Sequence, residues 1–177
     1  MQITDFVQVF NVLPNSLCDR VVATYELDPD WEQHKWYKPT EDTKEAQHNK
    51  ELDVLFNKDL IVLEEYVRTA ISKYYIKVNA NYLVTYFSDI RLNKYSTGTL
   101  MSEHVDLIRR RSGDGVPVLS IVGQLNQGYT GGEFIMNNQV VNLVQGDILI
   151  FPSTFLYPHR VNEVTSGTRY SFVTWAY

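Results

Sequence analysis

Ser102-Glu103-His104-Val105-Asp106-Leu107 carries an imidazole and a carboxylate two positions apart, and Tyr157-Pro158-His159-Arg160-Val161 carries a second imidazole. In a β-strand successive side chains point to opposite faces. His104 and Asp106 are therefore expected on one face, with Glu103, Val105 and Leu107 on the other. His159, on a later strand, would be a third donor. A His and an Asp two apart also arise on ordinary solvated strands, and a lone histidine is more often satisfied or exposed than a ligand. The strands around them change that balance. In an eight-stranded roll the second and seventh strands are neighbours, which would bring His159 to the pair.

The surrounding sequence is strand-like. From Asn81 onward short runs rich in β-branched and aromatic residues follow one another: Tyr82 to Phe87, Ile90 to Tyr95, Val116 to Leu125, Gly132 to Met136, Val140 to Val144, Asp147 to Phe151, His159 to Val164 and Arg169 to Tyr177. Turn residues separate them, among them Ser96-Thr97-Gly98, Thr130-Gly131-Gly132, Asn137-Asn138, Gln145-Gly146-Asp147 and Thr165-Ser166-Gly167. This spacing predicts a sandwich or jelly roll, with helices supplied by the first half of the chain. There, Asp5 to Leu13 reads as a first strand and Ser16 to Glu26 as a helix capped by Asn15 or Ser16. Asp28-Pro29-Asp30-Trp31 ends that helix, and the aperiodic stretch through His48 reads as a long loop. Glu51 to Tyr75 places Leu52, Leu55, Phe56, Leu60, Leu63, Val67, Ala70 and Ile71 at helical spacing, which predicts one long helix or two abutting ones. The fold class expected is α+β: one domain over 1–177, mostly helical support over 1–80 and a β core over 81–177.

Composition narrows the function. With 177 residues and 44% hydrophobic content the chain has the size and apolar share of one domain. A net charge of -5 and a pI near 5.3 argue against charge-driven nucleic-acid binding. Cys18 is the single cysteine, so an intrachain disulfide and a cysteine-based zinc site are both excluded. No run approaches the roughly 20 apolar residues of a membrane-spanning helix, and a soluble, cytoplasmic protein is the expectation.

Two imidazoles and one carboxylate on one face of an ion are the ligand set of non-haem Fe(II) oxygenases. Arg169 and Ser171 share a face of the last strand, as do Val173 and Trp175. An arginine inside a small barrel needs an anion, and its planar fork suits a carboxylate; the plain alternative is an internal salt bridge. Tyr95-Ser96-Thr97-Gly98, His104-Val105-Asp106, Gly131-Gly132-Glu133-Phe134, Gly146 to Ser153, Pro158-His159-Arg160-Val161 and Gly167 to Trp175 resemble, in order and spacing, the Fe(II)- and 2-oxoglutarate-dependent dioxygenases. The prolyl 4-hydroxylase-like branch is the nearest. The resemblance runs from about Ile90 to Tyr177, half the chain.

The resemblance implies a double-stranded β-helix in which His104, Asp106 and His159 hold Fe(II). It further implies that Arg169 binds the distal carboxylate of 2-oxoglutarate, that Tyr95 reaches the co-substrate and that Trp175 lines the pocket. For the two aromatics, core packing is the competing role. O2 would be consumed, with ascorbate as a candidate reductant. The substrate class implied is a peptide or protein, with proline as the target residue. Val122, Leu149, Phe151, Val161 and Val173 suit a dry cavity. Gln124 departs from the family, standing where several relatives carry a tyrosine, and is expected to donate a hydrogen bond in its place. Arg109-Arg110-Arg111 falls in a loop that can clamp an acidic or peptide partner or simply be solvated. Trp31, Trp36 and Tyr37 suit either a peptide groove or a satellite core, while His34 and His48 are expected to be exposed. A second function class stays open: a non-catalytic jelly roll that binds a ligand and uses a metal as a structural staple. A carboxylate clamp at Arg169 favours the enzyme.

Overall fold

The structure is a computed structural model that describes residues 2–37, 44–45, 50–56, 60–80, 84, 86–107 and 115–177. The first half contributes strands β1 (Gln8–Asn11), β2 (Glu32–Gln33), β3 (Trp36–Tyr37), β4 (Lys44–Glu45) and β5 (Asp53–Phe56), with helices α1 (Asn15–Tyr25) and α2 (Ile61–Val78). The second half contributes β6 (Arg91–Tyr95), β7 (Met101–His104), β8 (Leu119–Gln124), β9 (Thr130–Gly131), β10 (Phe134–Met136), β11 (Gln139–Val141), β12 (Asp147–Pro152), β13 (His159–Val161), β14 (Val164–Ser166) and β15 (Arg169–Ala176). Every ladder pairs antiparallel. A seven-stranded sheet runs β1-β12-β8-β15-β6-β5-β2 and a four-stranded sheet runs β11-β10-β13-β7.

Alternation along the central strands builds two cores from one sheet. On β12, Ile148 and Ile150 belong to the cluster that contains the helices, whereas Leu149 and Phe151 belong to the cluster shared with the small sheet. Each of these four side chains is fully buried, which stabilises the fold by about 1.5–3 kcal/mol per side chain relative to exposure. Helix α2 presents Leu63, Val67, Ala70, Ile71 and Tyr74 to the sheet. These positions fall three or four apart, or side by side, and form one stripe. The helix stops at Asn79, whose φ of 51° is left-handed. The second core lies between the sheets and contains Val122, Leu149, Phe151, Val161 and Val173, the five residues expected to line a dry cavity.

Several expectations need correction. Asp53–Phe56 is a strand and not the start of a long helix, because Val54 and Leu55 pair with Asn93 and Leu92 on β6. Backbone pairing there outweighs a helical apolar period. The first half therefore extends the main sheet as well as covering it. Helix α1 has Pro14 at its N-cap with no side-chain cap bond, in place of the expected Asn15 or Ser16. Two short pairings, Glu32–Gln33 with β5 and Trp36–Tyr37 with Lys44–Glu45, occupy part of the expected loop. Of the strand expected over Tyr82 to Phe87, residues 82, 83 and 85 lie outside the described residues, and Phe87 makes a single bridge to Ala176. Arg109–Arg111 and His48 also lie outside them.

Candidate active site

β13 pairs with β7 so that His159 stands opposite His104. The expected neighbourhood of these two strands is thus present. β7 ends at His104, however, and Asp106 lies beyond it, so the two do not share a face of one regular strand. The chain leaves the sheet and returns the carboxylate to the imidazoles. Asp106 Oδ1 is 3.4 Å from His104 Nε2, and its Oδ2 is 3.7 Å from His159 Nε2. One donor atom from each residue falls within 4.8 Å of the others.

Both histidines are oriented in the same way. Nδ1 of His104 donates to the Ser102 carbonyl at 2.8 Å, and Nδ1 of His159 donates to the Tyr157 carbonyl at 3.0 Å. A carbonyl can only accept, so each Nδ1 carries a proton, and in the neutral ring the Nε2 lone pair faces the centre. Burial pushes the His159 pKa down to about 4, with the neighbouring His104 adding to the effect. At Asp106 burial opposes ionisation, but the two adjoining imidazoles and the Ser120 hydroxyl outweigh it and hold the carboxyl below the usual range. Near neutral pH the cluster presents a neutral His159 and a carboxylate, the protonation states a divalent ion requires. This donor set fits Fe(II).

Aromatic groups immobilise the imidazoles. His159 stacks on Phe134 at 5.4 Å and meets the Phe151 edge at 5.0 Å, while Trp36 packs against His104 at 4.8 Å. The indole of Trp36 donates to Glu51 Oε1 at 3.0 Å, which also accepts from Ser102 Oγ at 2.7 Å. Trp36 thus stands beside the site. Trp31 packs into the helix-side core instead. His34, expected to be exposed, is buried at 9% exposure because its backbone N–H pairs with Leu52 and its ring meets Trp36.

The inner face of the main sheet forms the other wall. β15 lies between β6 and β8, with Arg169 opposite Tyr95, Ser171 opposite Asn93 and Gln124, and Val173 opposite Arg91 and Val122. Arg169 is 1% exposed. Its Nη1 donates to Ser171 Oγ at 3.2 Å, its guanidinium lies 4.8 Å over the Tyr95 ring, and its Nη2 has no partner. An unpaired donor on a buried cation is a receptor for a carboxylate. The cradle fits the distal end of 2-oxoglutarate. Tyr95 is buried, which raises its phenol pKa, and its hydroxyl reaches Met101 Sδ at 3.8 Å. Trp175 lines the pocket and belongs to the inter-sheet core at once.

Gln124 differs from expectation. Its amide nitrogen is directed to the Asn126 and Tyr170 carbonyls at 2.8 and 3.4 Å, while Oε1 is buried without a partner. With its N–H groups engaged by backbone, it offers an acceptor rather than a donor beside Arg169. Arg91, Asn93 and Ser120 are further site residues that sequence reasoning missed. Two-residue alternation back from Tyr95 was the signal for the first two.

The sequence profile of the 2OG-Fe(II) oxygenase superfamily matches residues 90–177, the segment that carries all three donors and Arg169. The chain belongs to the 2OG-Fe(II) oxygenase superfamily. Its oxygenase segment is 36% identical over 97 residues to a PKHD-type hydroxylase of Delftia acidovorans, covering 49% of this chain and 42% of that protein. A PKHD-type hydroxylase of Gluconobacter oxydans is 34% identical over 94 residues, covering 48% and 40%. The matched segments span less than half the length of these relatives. In fold, this superfamily member resembles a Trichoplax adhaerens prolyl hydroxylase solved with a hypoxia inducible factor peptide, with a TM-score of 0.74 at 16% identity over 98% of this chain and 84% of that one. A Pseudomonas putida prolyl-4-hydroxylase gives a TM-score of 0.68 at 18% identity over 97% and 91%. No helix among the described residues is long and apolar enough to cross a membrane.

Proposed function

We propose that residues 1–177 form one Fe(II)- and 2-oxoglutarate-dependent hydroxylase domain on a double-stranded β-helix, acting on a prolyl residue of a peptide or protein. The observation that carries the proposal is the pairing of a three-donor cluster with a buried, under-satisfied arginine in a single pocket. The names of the relatives support hydroxylation, and those of the two solved neighbours support proline as the target. A lone buried thiol at Cys18 and an oxidation-sensitive ferrous site both suit a reducing cytoplasm.

In this reading His104 and His159 direct Nε2 lone pairs at the ion, and the Asp106 carboxylate supplies the third bond. Iron and 2-oxoglutarate together supply oxygen activation, giving succinate and CO2 and one oxygen atom for a substrate C–H bond. Arg169 anchors the distal carboxylate, with Tyr95 fixing the guanidinium from one side and Ser171 from another. Val122, Phe134, Val161 and Val173 exclude water from the same pocket.

Anaerobic titration with Fe(II) and 2-oxoglutarate tests the site without any substrate. The chelate should give a saturable visible charge-transfer band, absent in Asp106→Ala and shifted to at least about tenfold higher 2-oxoglutarate in Arg169→Ala. Iron that binds without the band would favour a non-catalytic module with a structural metal.

A further inference from the structure

Arg91 is a second buried guanidinium in the pocket, and the proposed function leaves it unused. It is 7% exposed and lines the cavity together with His104, Asp106, His159 and Arg169. Its Nε donates to Asn93 Oδ1 at 3.0 Å, and its planar head lies 5.3 Å over the ring of Trp175. Among the described residues its two terminal nitrogens have no hydrogen-bond partner, and it takes part in no ion pair. The indole N–H of Trp175 is likewise buried and unpartnered. Two donor groups without a hydrogen-bond partner therefore lie beside the proposed metal site, where the Asp106 carboxylate acts on Arg91 through its charge alone.

A cation taken out of water is costly unless an anion accompanies it. The site's charges leave such an anion missing. Asp106 offsets one of the two guanidinium groups, and a divalent ion would be offset by dianionic 2-oxoglutarate, so one positive charge is left over. Arg169 and Arg91 both line this pocket, but they enter it from different places on the sheet. One head is seated over Tyr95 and the other over Trp175, and their backbone positions are offset by four residues of β15, roughly 13 Å along the sheet. Arg91 stands where Val173 and Val122 flank the pocket.

We propose that Arg91, held by Asn93 and seated on Trp175, binds a carboxylate of the substrate. The favoured substrate is then a prolyl residue at the carboxy terminus of a peptide, with its α-carboxylate free, rather than one flanked by amides on both sides. This inference rests on the hydroxylase reading and narrows its substrate class.

The test is anaerobic calorimetry on the chain loaded with Mn(II) and saturating 2-oxoglutarate, with N-acetyl-L-proline and N-acetyl-L-prolinamide as probes. The acid should bind the wild type about 30-fold more tightly than the amide. That preference should vanish in Arg91→Met and survive in part in Arg91→Lys. Equal affinity for acid and amide in the wild type, or no heat from either, overturns the proposal. So does a preference that persists in Arg91→Met. Titrating 2-oxoglutarate into the same metal-loaded variants separates the two readings. Tight binding in Arg91→Met with loss in Arg169→Met upholds the hydroxylase assignment whichever way the probe titration falls. Loss in Arg91→Met with retention in Arg169→Met would make Arg91 the co-substrate clamp, and the carboxylate proposal would fall.

Discussion

His104 and His159, distant in sequence, are held in the same manner, each giving its Nδ1 proton to the carbonyl two residues earlier. The tautomer is thereby set by backbone. On the neighbouring wall the same economy operates at Gly132, whose φ is +65° and whose added Cβ would lie 2.8 Å from Val164 Cγ2 and 3.2 Å from Arg169 Cδ. Gly132→Ala should destabilise the fold by about 1–3 kcal/mol. By displacing the Arg169 stem, it should also weaken 2-oxoglutarate binding in an anaerobic titration. Unchanged affinity would show that the stem moves without its head. The structure brings together His104, Asp106, His159 and Arg169, which residue type and order along the chain had singled out, although Asp106 arrives from beyond the strand. Arg91 was not legible from sequence, since a single arginine in a strand looks like a solvated one until its burial is seen.

Among the elements, most strands of the second half follow the sequence, because turn residues there coincide with strand ends, but the single strand expected over His159 to Val164 is two, β13 and β14. Asn137 and Asn138 have φ of 49° and 61°, and they join Met136 to Gln139 in a two-residue hairpin. Consecutive left-handed residues match the twist of the paired strands. Asn138→Gly should be neutral or mildly stabilising, whereas Asn138→Val should cost about 1–2 kcal/mol in denaturant unfolding. Equal stabilities for the two would mean that the hairpin tolerates another turn type. The first half was less legible. Leu52, Leu55 and Phe56 fit a helical period as well as a strand, and the choice was made by β6, about forty residues downstream. A local pattern cannot report a distant partner. Asp106 failed for a related reason: the alternation rule held only as far as the strand did.

For the whole molecule, one sheet divides two cores with separate duties. Leu63 belongs to the helix-side core, while Phe151 belongs to the inter-sheet core and touches His159 at 5.0 Å. Leu63→Ala and Phe151→Ala should each lose about 3–5 kcal/mol of stability. Metal affinity should fall only in the second, by calorimetry on the folded protein. A loss in both would mean that the cores are mechanically coupled. The two-layer plan was legible from the strand spacing, but the share of the main sheet taken by β1, β2 and β5 was not, because short strands carry little periodic signal. Finally, β7 is the outermost strand of the four-stranded sheet, and His104 is its last residue. Sheet margins fray first and are where foreign strands can attach. An ion gripped jointly by His104 and His159 would act as a clasp on that margin, tightening with ion concentration and contributing about 2.7 kcal/mol at a hundredfold excess over Kd. Chelation should therefore speed amide exchange in Met101–His104 far more than in Leu119–Gln124, and a uniform change would show that no clasp exists. A ferrous enzyme built this way would signal iron starvation at its edge, offering a loose strand to proteases and to other chains before its interior had opened.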